Sequence, residues 1–347
     1  MAVVDRWRNA SIRPAIVGRG TRQLSSILLF VVGAALLIYS AEKLISYLVG
    51  AAAGLRVSVF LLAIIFTGIE FDDVAFGVAL NMEDLSGVAL GTVFGTAISM
   101  IGVVLALAAI ISPTRVAVPG RYLALFAVAP LVLIPFLVFG PLTPLHGVLL
   151  LLLFAFFLGY VAMRELRRGT PATGTPPLVV PMPFDRARPL PGWAAIGLAV
   201  VALVGLVVGA AMTSIGTEGL LEEFRIQGAL FGATIATLVL TLEDVLLTVE
   251  PTRRGAADIG LANVVGSVVF GVTGKLGIIL LVGGSIVVDD EVLSWHLPVL
   301  VGMTALAACF LSTGRLRRWH GYVLLAAYVA YWVVSFAVFG EAPVEAD

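Results

Sequence analysis

Charged side chains are scarce in this sequence: Asp, Glu, Lys and Arg make up 12% of its residues, against about 25% in a soluble domain. The single cysteine, Cys309, excludes an internal disulfide and a thiolate metal site, and the three histidines are too scattered to form a metal site. A formal net charge of -1 gives no reason to expect a nucleic-acid partner. The sequence also lacks a Gly-Lys-Thr/Ser phosphate-binding loop, so ATP is not expected as its energy source.

Apolar residues, by contrast, make up 60% of the chain, and the mean hydropathy is +1.08. Because about 20 apolar residues span a bilayer as a helix, the long apolar runs predict membrane spans. We expect an all-α, polytopic membrane bundle of ten transmembrane helices. The predicted spans are 25–50, 57–80, 85–112, 121–139, 144–163, 192–215, 228–249, 257–286, 295–312 and 320–339.

A polar interval rich in Pro, Gly, Thr and Arg divides these spans five and five. With an odd number of spans in each half, a duplicated half enters the membrane the other way up, as in many secondary transporters. We therefore predict two inverted five-helix repeats with a binding site at the midplane between them. The predicted segments are a polar Arg-rich tail at 1–24, repeats at 25–163 and 192–339, a linker at 164–191 and an acidic tail at 340–347.

The distribution of Arg among the loops indicates orientation, because cytoplasmic loops carry an excess of Lys and Arg. Most loop arginines fall on the side of the linker and many loop acids on the other, which predicts a cytoplasmic linker. The Arg-rich N-terminal tail disagrees, since this orientation places it outside. We expect a monomeric multi-pass protein of the cell membrane, whose partners are the lipid bilayer and inorganic cations.

Two acidic stretches interrupt the second and seventh spans and end at Asp73 and Asp244. A carboxylate at membrane depth costs about 2.5–3.5 kcal/mol on insertion scales, so such residues usually mark an ion path. Asp73 lies 23 residues before Thr96, and Asp244 lies 23 residues before Ser267. The shared spacing indicates that the two stretches belong to a duplicated unit.

The motifs around these acids resemble the cation/calcium antiporter superfamily. That family carries Gly-Thr-Ser-x-Pro-Glu on the second span of each repeat, and residues 68–73 and 239–244 fall on this motif. It carries Gly-Asn-x-x-Gly-Ser-Asn on the third span, where 91–97 and 262–268 correspond. The resemblance implies an antiporter of two inverted repeats, in which the first helix of each repeat moves against the remaining bundle.

Several residues depart from the family pattern. The family's glutamate is an aspartate in both halves, and its helix-bending proline is replaced by Asp72 and Glu243. A late polar ligand on the third span is replaced by Met100 and Gly271. The family's ion selectivity is therefore not carried over to this chain.

The predicted function is secondary active antiport, with calcium or another cation exchanged for sodium or protons by alternating access. Hard cations bind about six to eight oxygen ligands, and these two motifs supply carboxylate, amide and hydroxyl oxygens. We expect no catalytic residue and no cofactor, only the transported cation (calcium, sodium or proton) at the site. The predicted ligands are Asp73, Asp244, Glu70, Thr96, Ser267, Asn263, Thr92 and Thr241. Plain helix packing at the neighbouring Gly-x-x-x-Gly pattern is an equal explanation for Thr92 and Thr96.

Three further residues have candidate roles in coupling or at the entrance. Asp72 and Glu243 point about 100° away from the central acids on an ideal helix and are predicted to line an aqueous entrance. Clustered acids raise one another's pKa, which makes proton coupling plausible. Lys275, deep in the eighth span, is predicted to be an internal counter-ion or proton-linked switch, or else a lysine whose stem reaches an interface.

Two other functions remain open at this point. A degenerate exchanger homologue would bind or sense ions without transporting them, and the replacements at Met100 and Gly271 keep that alternative. An intramembrane aspartyl protease would use Asp73 and Asp244 as an acid dyad. The Gly-x-Gly-Asp signature expected of such proteases is absent, which makes an enzyme the weaker alternative.

Overall fold

Helices dominate the protein throughout the part that the computed structural model describes. The described residues are 12–55, 57–82, 86–116, 118–138, 140–168, 191–223 and 229–339. Within them, two short strands, β1 (Thr114–Arg115) and β2 (Arg315–Leu316), pair antiparallel and connect loops from the two halves of the chain.

The helices of the first half, in chain order, are α1 (Ile12–Leu55), α2 (Val59–Phe66), α3 (Phe71–Met82), α4 (Ser86–Ser99), α5 (Ala106–Ile111), α6 (Gly120–Val128), α7 (Leu133–Val138) and α8 (Pro144–Arg168). A π-helical segment, Met100–Leu105, connects α4 to α5. A 3-10 turn, Ala129–Val132, connects α6 to α7 around Pro130, which cannot donate a backbone hydrogen bond.

The helices of the second half are α9 (Gly192–Glu223), α10 (Ala229–Arg253), α11 (Ala257–Phe270), α12 (Leu276–Gly283), α13 (Leu297–Ser312) and α14 (Arg318–Val334). Three π-helical segments accompany them: Gly271–Lys275 between α11 and α12, Val292–His296 before α13, and Ser335–Phe339 after α14.

Eight helical stretches among the described residues are long and apolar enough to cross a membrane. They are Ser25–Leu55, Ser86–Ile111, Gly120–Val138, Pro144–Leu166, Gly192–Thr213, Ala257–Gly283, Val292–Ser312 and Arg318–Val338. The chain is therefore a mostly helical, multi-pass membrane protein, as predicted. The two other predicted spans, 57–80 and 228–249, correspond to the α2–α3 pair and to α10.

The predicted span at 57–80 is two helices in the structure. Ser58 caps the start of α2 by accepting a hydrogen bond from the Leu61 amide at 3.3 Å. At the other end the Thr67 hydroxyl donates to the Ala63 carbonyl at 2.9 Å, and residues 67–70 are not helical. Gly68 lies in this break.

Helix α1 starts well before the span predicted at 25–50. It begins at Ile12, and Pro14 lies in its first turn, where a missing N–H leaves no helical hydrogen bond unmade. Residues 12–24 of the predicted polar tail therefore continue the first helix. The remainder of that tail, most of the linker (169–190) and the acidic tail (340–347) lie outside the described residues.

The third predicted span of each half is largely buried and lies at the centre of the bundle. In their most apolar windows, 72% of the residues in Ser86–Ile111 and 89% in Ala257–Gly283 are buried, against 22–39% in the other spans. Helix α11 packs against α2 and α10, and α9 packs along α1. The two helical stretches that carry the second motif are thus more enclosed by protein than the other six spanning stretches.

Candidate functional site

Both acidic stretches line one cleft, although they are far apart in sequence. Glu70 and Asp73 come from the start of α3, and Glu243 and Asp244 from α10. The cleft has an empty volume of about 420 Å³, its open mouth included, and Leu203 of α9 contributes to an apolar wall. Acids from the two halves of the chain thus line a shared space.

The break after α2 gives the first pair of acids a particular position. The Glu70 carbonyl accepts the Val74 amide at 3.1 Å, so Glu70 is the residue before the first turn of α3, and Asp73 lies in that turn. Unpaired amides give a helix N-terminus a partial positive charge, which stabilises carboxylates there. Asp244 does not lie at a helix N-terminus, because α10 runs without a break from Ala229 to Arg253.

Lys275 of the second half contacts the acids of the first half. Its ammonium donates to Asp73 Oδ2 at 2.5 Å and to Thr96 Oγ1 at 2.9 Å, and it lies 3.9 Å from Glu70 Oε2. The Lys275 side chain is completely buried, while the side chains of Glu70 and Asp73 are 9% and 13% exposed. Lys275 therefore lies beside the central acids, and its stem does not reach an interface.

Asp244 lies among polar groups of α10 and α11. The Asn263 amide donates to Asp244 Oδ1 at 3.4 Å and to Thr248 Oγ1 at 3.1 Å. The Asn263 side chain is fully buried, and its Oδ1 has no hydrogen-bond partner among the described residues. A buried acceptor of this kind is unusual and requires an explanation.

Two more buried oxygen atoms without a hydrogen-bond partner in the described part of the chain are Glu70 Oε1 and Ser267 Oγ. They lie in the same region, because Ser267, Asp73 and Asp244 are all close enough to the Glu70 carboxylate to act on it electrostatically. Together with Asn263 Oδ1, these atoms give the site acceptor oxygens of the type that binds hard cations.

The threonines among the predicted ligands have other contacts or lie along the helices next to the acids. Thr96 Oγ1 donates to the Thr92 carbonyl at 2.9 Å while accepting from Lys275, and the Thr92 hydroxyl donates to the Ala89 carbonyl of its own helix at 2.8 Å. Thr241 is buried on α10. The side chain of Asp72 lies outside the described residues.

No three His, Cys, Asp or Glu side chains converge closely enough to hold a metal ion in the described part of the chain. Two carboxylates of the first half instead lie around the Lys275 ammonium. The structure thus brings the predicted acids to one cleft without gathering them into a cage of carboxylates.

The sequence prediction did not include several residues that contribute to this site. Thr248 holds the Asn263 amide, and its signal is its position four residues after Asp244, which puts both on one helix face. Leu203 and Val207 of α9 also line the cleft, and no sequence pattern distinguishes them from other apolar residues of that helix.

A multi-pass bundle with acids from distant segments in one cleft is an arrangement typical of membrane transporters. The family model described as sodium/calcium exchanger protein matches residues 25–163 and 194–337. The chain belongs to the sodium/calcium exchanger family, and the resemblance found in its motifs is confirmed. Members of this family are transporters, so the chain is a cation antiporter of this type and the enzyme alternative is not supported.

Similar proteins extend over nearly the whole chain. The sodium/calcium exchanger MaX1 of Methanosarcina acetivorans is 24% identical, covering 90% of this chain and 99% of its own. The inner membrane protein YrbG of Escherichia coli is also 24% identical, with 89% and 98% covered. A solved structure of the sodium-calcium exchanger NCX_Mj, soaked with Na+ and Sr2+, has a TM-score of 0.74 at 21% identity, with 90% and 98% covered. The structural match shows that the fold is shared.

Proposed function

We propose that this protein exchanges calcium or another cation for sodium or protons, by alternating access around the cleft between Asp73 and Asp244. The observation that carries the proposal is that the two acids come from opposite halves of the chain and line one buried cleft. The names of similar proteins, among them a sodium/calcium exchanger, support the same class of substrate.

The fold that we propose for the protein is a bundle of ten membrane spans in two inverted five-helix repeats. Eight stretches are long and apolar enough to cross a membrane, and the broken α2–α3 pair and α10 would supply the other two crossings. The duplication is supported by two segments in corresponding places: π-helical segments begin at Met100 and at Gly271, each directly after a helix of 14 residues.

The cation would be held by oxygen atoms from both halves. Asp244, Glu70, Asn263 and Ser267 supply a carboxylate–amide–hydroxyl set in which three buried oxygens are without a hydrogen-bond partner in the described part of the chain. Asp73 and Thr96 border this set on the side where Lys275 contacts them. Glu243 lines the same cleft, and Thr92 and Thr241 would contribute only after a rearrangement of the site.

Helices α1 and α9 would be the moving elements. They pack along each other over most of their length, and a Cβ atom on Gly209 would lie 2.6 Å from the Leu37 amide nitrogen, so their backbones touch. Helix α9 also supplies Leu203 and Val207 to the wall of the cleft. A joint shift of the two helices would therefore move this wall and change which side of the cleft is open.

The orientation within this proposal places the linker at 164–191 in the cytoplasm and the protein in the cell membrane as a monomer. The support is the excess of arginine in the loops on the linker side.

One observation favours a second function, that of an ion-binding or sensing module without transport. The Lys275 ammonium forms an ion pair with the Asp73 carboxylate. Among the described residues, no three His, Cys, Asp or Glu side chains lie close enough together to hold a metal ion. An exchanger has to release its cation to the opposite side, whereas a sensing module only binds it.

Flux in proteoliposomes separates these functions. Purified protein is reconstituted, and uptake of radioactive calcium is measured while an outward sodium gradient or an outward proton gradient is imposed. Exchange predicts uptake driven by at least one of the two gradients. Calcium binding to the purified protein with no uptake under either gradient would support the sensing module and contradict antiport.

A further inference from the structure

Lys275 has an environment that matches that of a bound cation. Its ammonium is held by a carboxylate oxygen of Asp73 and the hydroxyl oxygen of Thr96, with a second carboxylate, Glu70, at 3.9 Å. Carboxylate and hydroxyl oxygens are the ligands that hard cations take from proteins. The chain has only two lysines, Lys43 and Lys275, and Lys275 is completely buried.

We propose that the Lys275 ammonium is a tethered cation, which fills one cation position on the Asp73 side of the site and leaves only the Asp244 side for an exchanged ion. The inference rests on the proposed function and specifies its stoichiometry: this chain moves one monovalent cation fewer per cycle than the same site would without the lysine.

The unpartnered oxygens within the described residues support this division of the site. Asp73 Oδ2 and Thr96 Oγ1 are occupied by the ammonium, whereas Asn263 Oδ1 and Ser267 Oγ, on the Asp244 side, have no hydrogen-bond partner there. Glu70 lies between the two sides, with Oε2 toward Lys275 and Oε1 without a hydrogen bond. The acceptor oxygens left for a mobile cation therefore belong to the second half and to Glu70.

The local backbone holds Lys275 in this position. Lys275 is the last residue of the π-helical segment Gly271–Lys275, all five residues of which are buried. A π-helical segment changes the direction of the side chains that follow it and is frequent at functional sites. Here it brings the Lys275 ammonium to the acid of the opposite half.

Counting the sodium ions bound at saturation tests the proposal. Full-length protein in nanodiscs is equilibrated with radioactive sodium alone, and bound sodium is measured per chain for wild type, Lys275→Met and Lys43→Met. Lys43 provides the matched control, because it lies on α1, where its ammonium contacts the Tyr39 ring at 5.4 Å. We expect Lys275→Met to bind one sodium ion more than wild type and Lys43→Met to bind the same number. An unchanged or smaller number in a monodisperse Lys275→Met protein overturns the tethered cation.

A second comparison decides the matter if Lys275→Met does not fold. Asp73→Asn leaves the ammonium without its carboxylate, whereas Asp73→Asn combined with Lys275→Met removes both charges. The tethered cation predicts that the double variant binds radioactive calcium at least about tenfold more tightly than Asp73→Asn, because an uncompensated ammonium repels the incoming cation. Equal or weaker binding by the double variant overturns the proposal.

The same binding measurements distinguish a failure of the proposed function from a failure of the tethered cation. A wild-type protein that binds neither sodium nor calcium contradicts the antiport site and the tethered cation together. A wild-type protein that exchanges cations, with the same sodium number in Lys275→Met, contradicts the tethered cation alone.

Discussion

Lys275 and Asp73 form a buried ion pair between residues 202 positions apart, with Nζ and Oδ2 separated by 2.5 Å. The pair joins the first helical turn of α3 to the π-helical segment after α11 and so connects the two halves of the chain at the cleft. Removing one partner of a buried pair typically costs about 3–5 kcal/mol, because the other charge stays buried and uncompensated. The two halves are therefore held together at the site itself.

The contact of Gly68 with Gly266 predicts a steric limit beside the site. A Cβ atom on Gly266 would lie 2.9 Å from the Gly68 Cα atom, and one on Gly68 would lie 2.8 Å from the Gly266 Cα atom. Gly266→Ala should therefore lower the free energy of unfolding by about 1–3 kcal/mol, as overpacking does. Thermal unfolding in detergent measures this change.

Gly197→Ala on α9 is the matched control, since a Cβ atom there would have no neighbour within 4 Å. Replacing glycine with alanine in a helix without a clash should stabilise it by about 0.5–1 kcal/mol. Equal stability of the Gly266 and Gly197 variants would show that the two backbones do not touch.

Asn81 connects α3 to the end of α12. Its side chain is buried, and Nδ2 lies 3.3 Å from the Ile279 carbonyl and 3.3 Å from the Gly284 carbonyl. Asn81→Ala leaves these carbonyls without their donor and should cost about 1–3 kcal/mol in the free energy of unfolding. Ser312→Ala loses an exposed hydrogen bond to the Cys309 carbonyl and should change stability far less. Equal unfolding temperatures for the two variants would contradict this role.

Arg254 forms ion pairs with Glu42 at 3.0 Å and with Glu250 at 2.6 Å, which links α1 to the residues after α10. The side chains of Arg254 and Glu42 are 28% and 35% exposed, so solvent screens the attraction. A double-mutant cycle with Arg254→Gln and Glu42→Gln should give a coupling energy below about 1 kcal/mol that falls further at high salt. A larger, salt-independent coupling would show that the pair is buried in the membrane-embedded protein.

Calcium should protect the folded protein against heat if the cleft binds it. A ligand at a hundred times its dissociation constant stabilises the native state by about 2.7 kcal/mol. We expect calcium to raise the unfolding temperature of wild type and of Asp290→Asn, whose carboxylate is exposed outside the cleft. Asp244→Asn should lose this shift, and an undiminished shift in that variant would place the calcium elsewhere.

The fold was largely predictable, because a membrane imposes long apolar runs that the sequence shows directly. The shared spacing from Asp73 to Thr96 and from Asp244 to Ser267 predicts which helices form the site, and the family model matches both halves of the chain. Where helices begin and break was less predictable. Helix α1 extends back to Ile12, and the second span breaks at 67–70 while α10 remains continuous.

The contacts inside the site were the least predictable part. The sequence identified Lys275 as unusual, but its ion pair with Asp73 depends on how α3 and α11 cross, which no local pattern specifies. The same reason applies to Thr248, which contacts Asn263 because α10 and α11 lie side by side. Tertiary packing determines these contacts, whereas periodicity and spacing determine only the face on which each residue lies.

The central claim, that Asp73 and Asp244 share one transport site, is tested most directly by calcium uptake in proteoliposomes containing Asp73→Asn, Asp244→Asn or the control Asp290→Asn. All three variants remove one carboxylate charge with little change in volume, and reconstituted amounts are equalised by quantitative blotting. We predict no uptake above that of protein-free vesicles for the first two variants and wild-type uptake for the third. Wild-type uptake by either Asp73→Asn or Asp244→Asn would contradict the shared site.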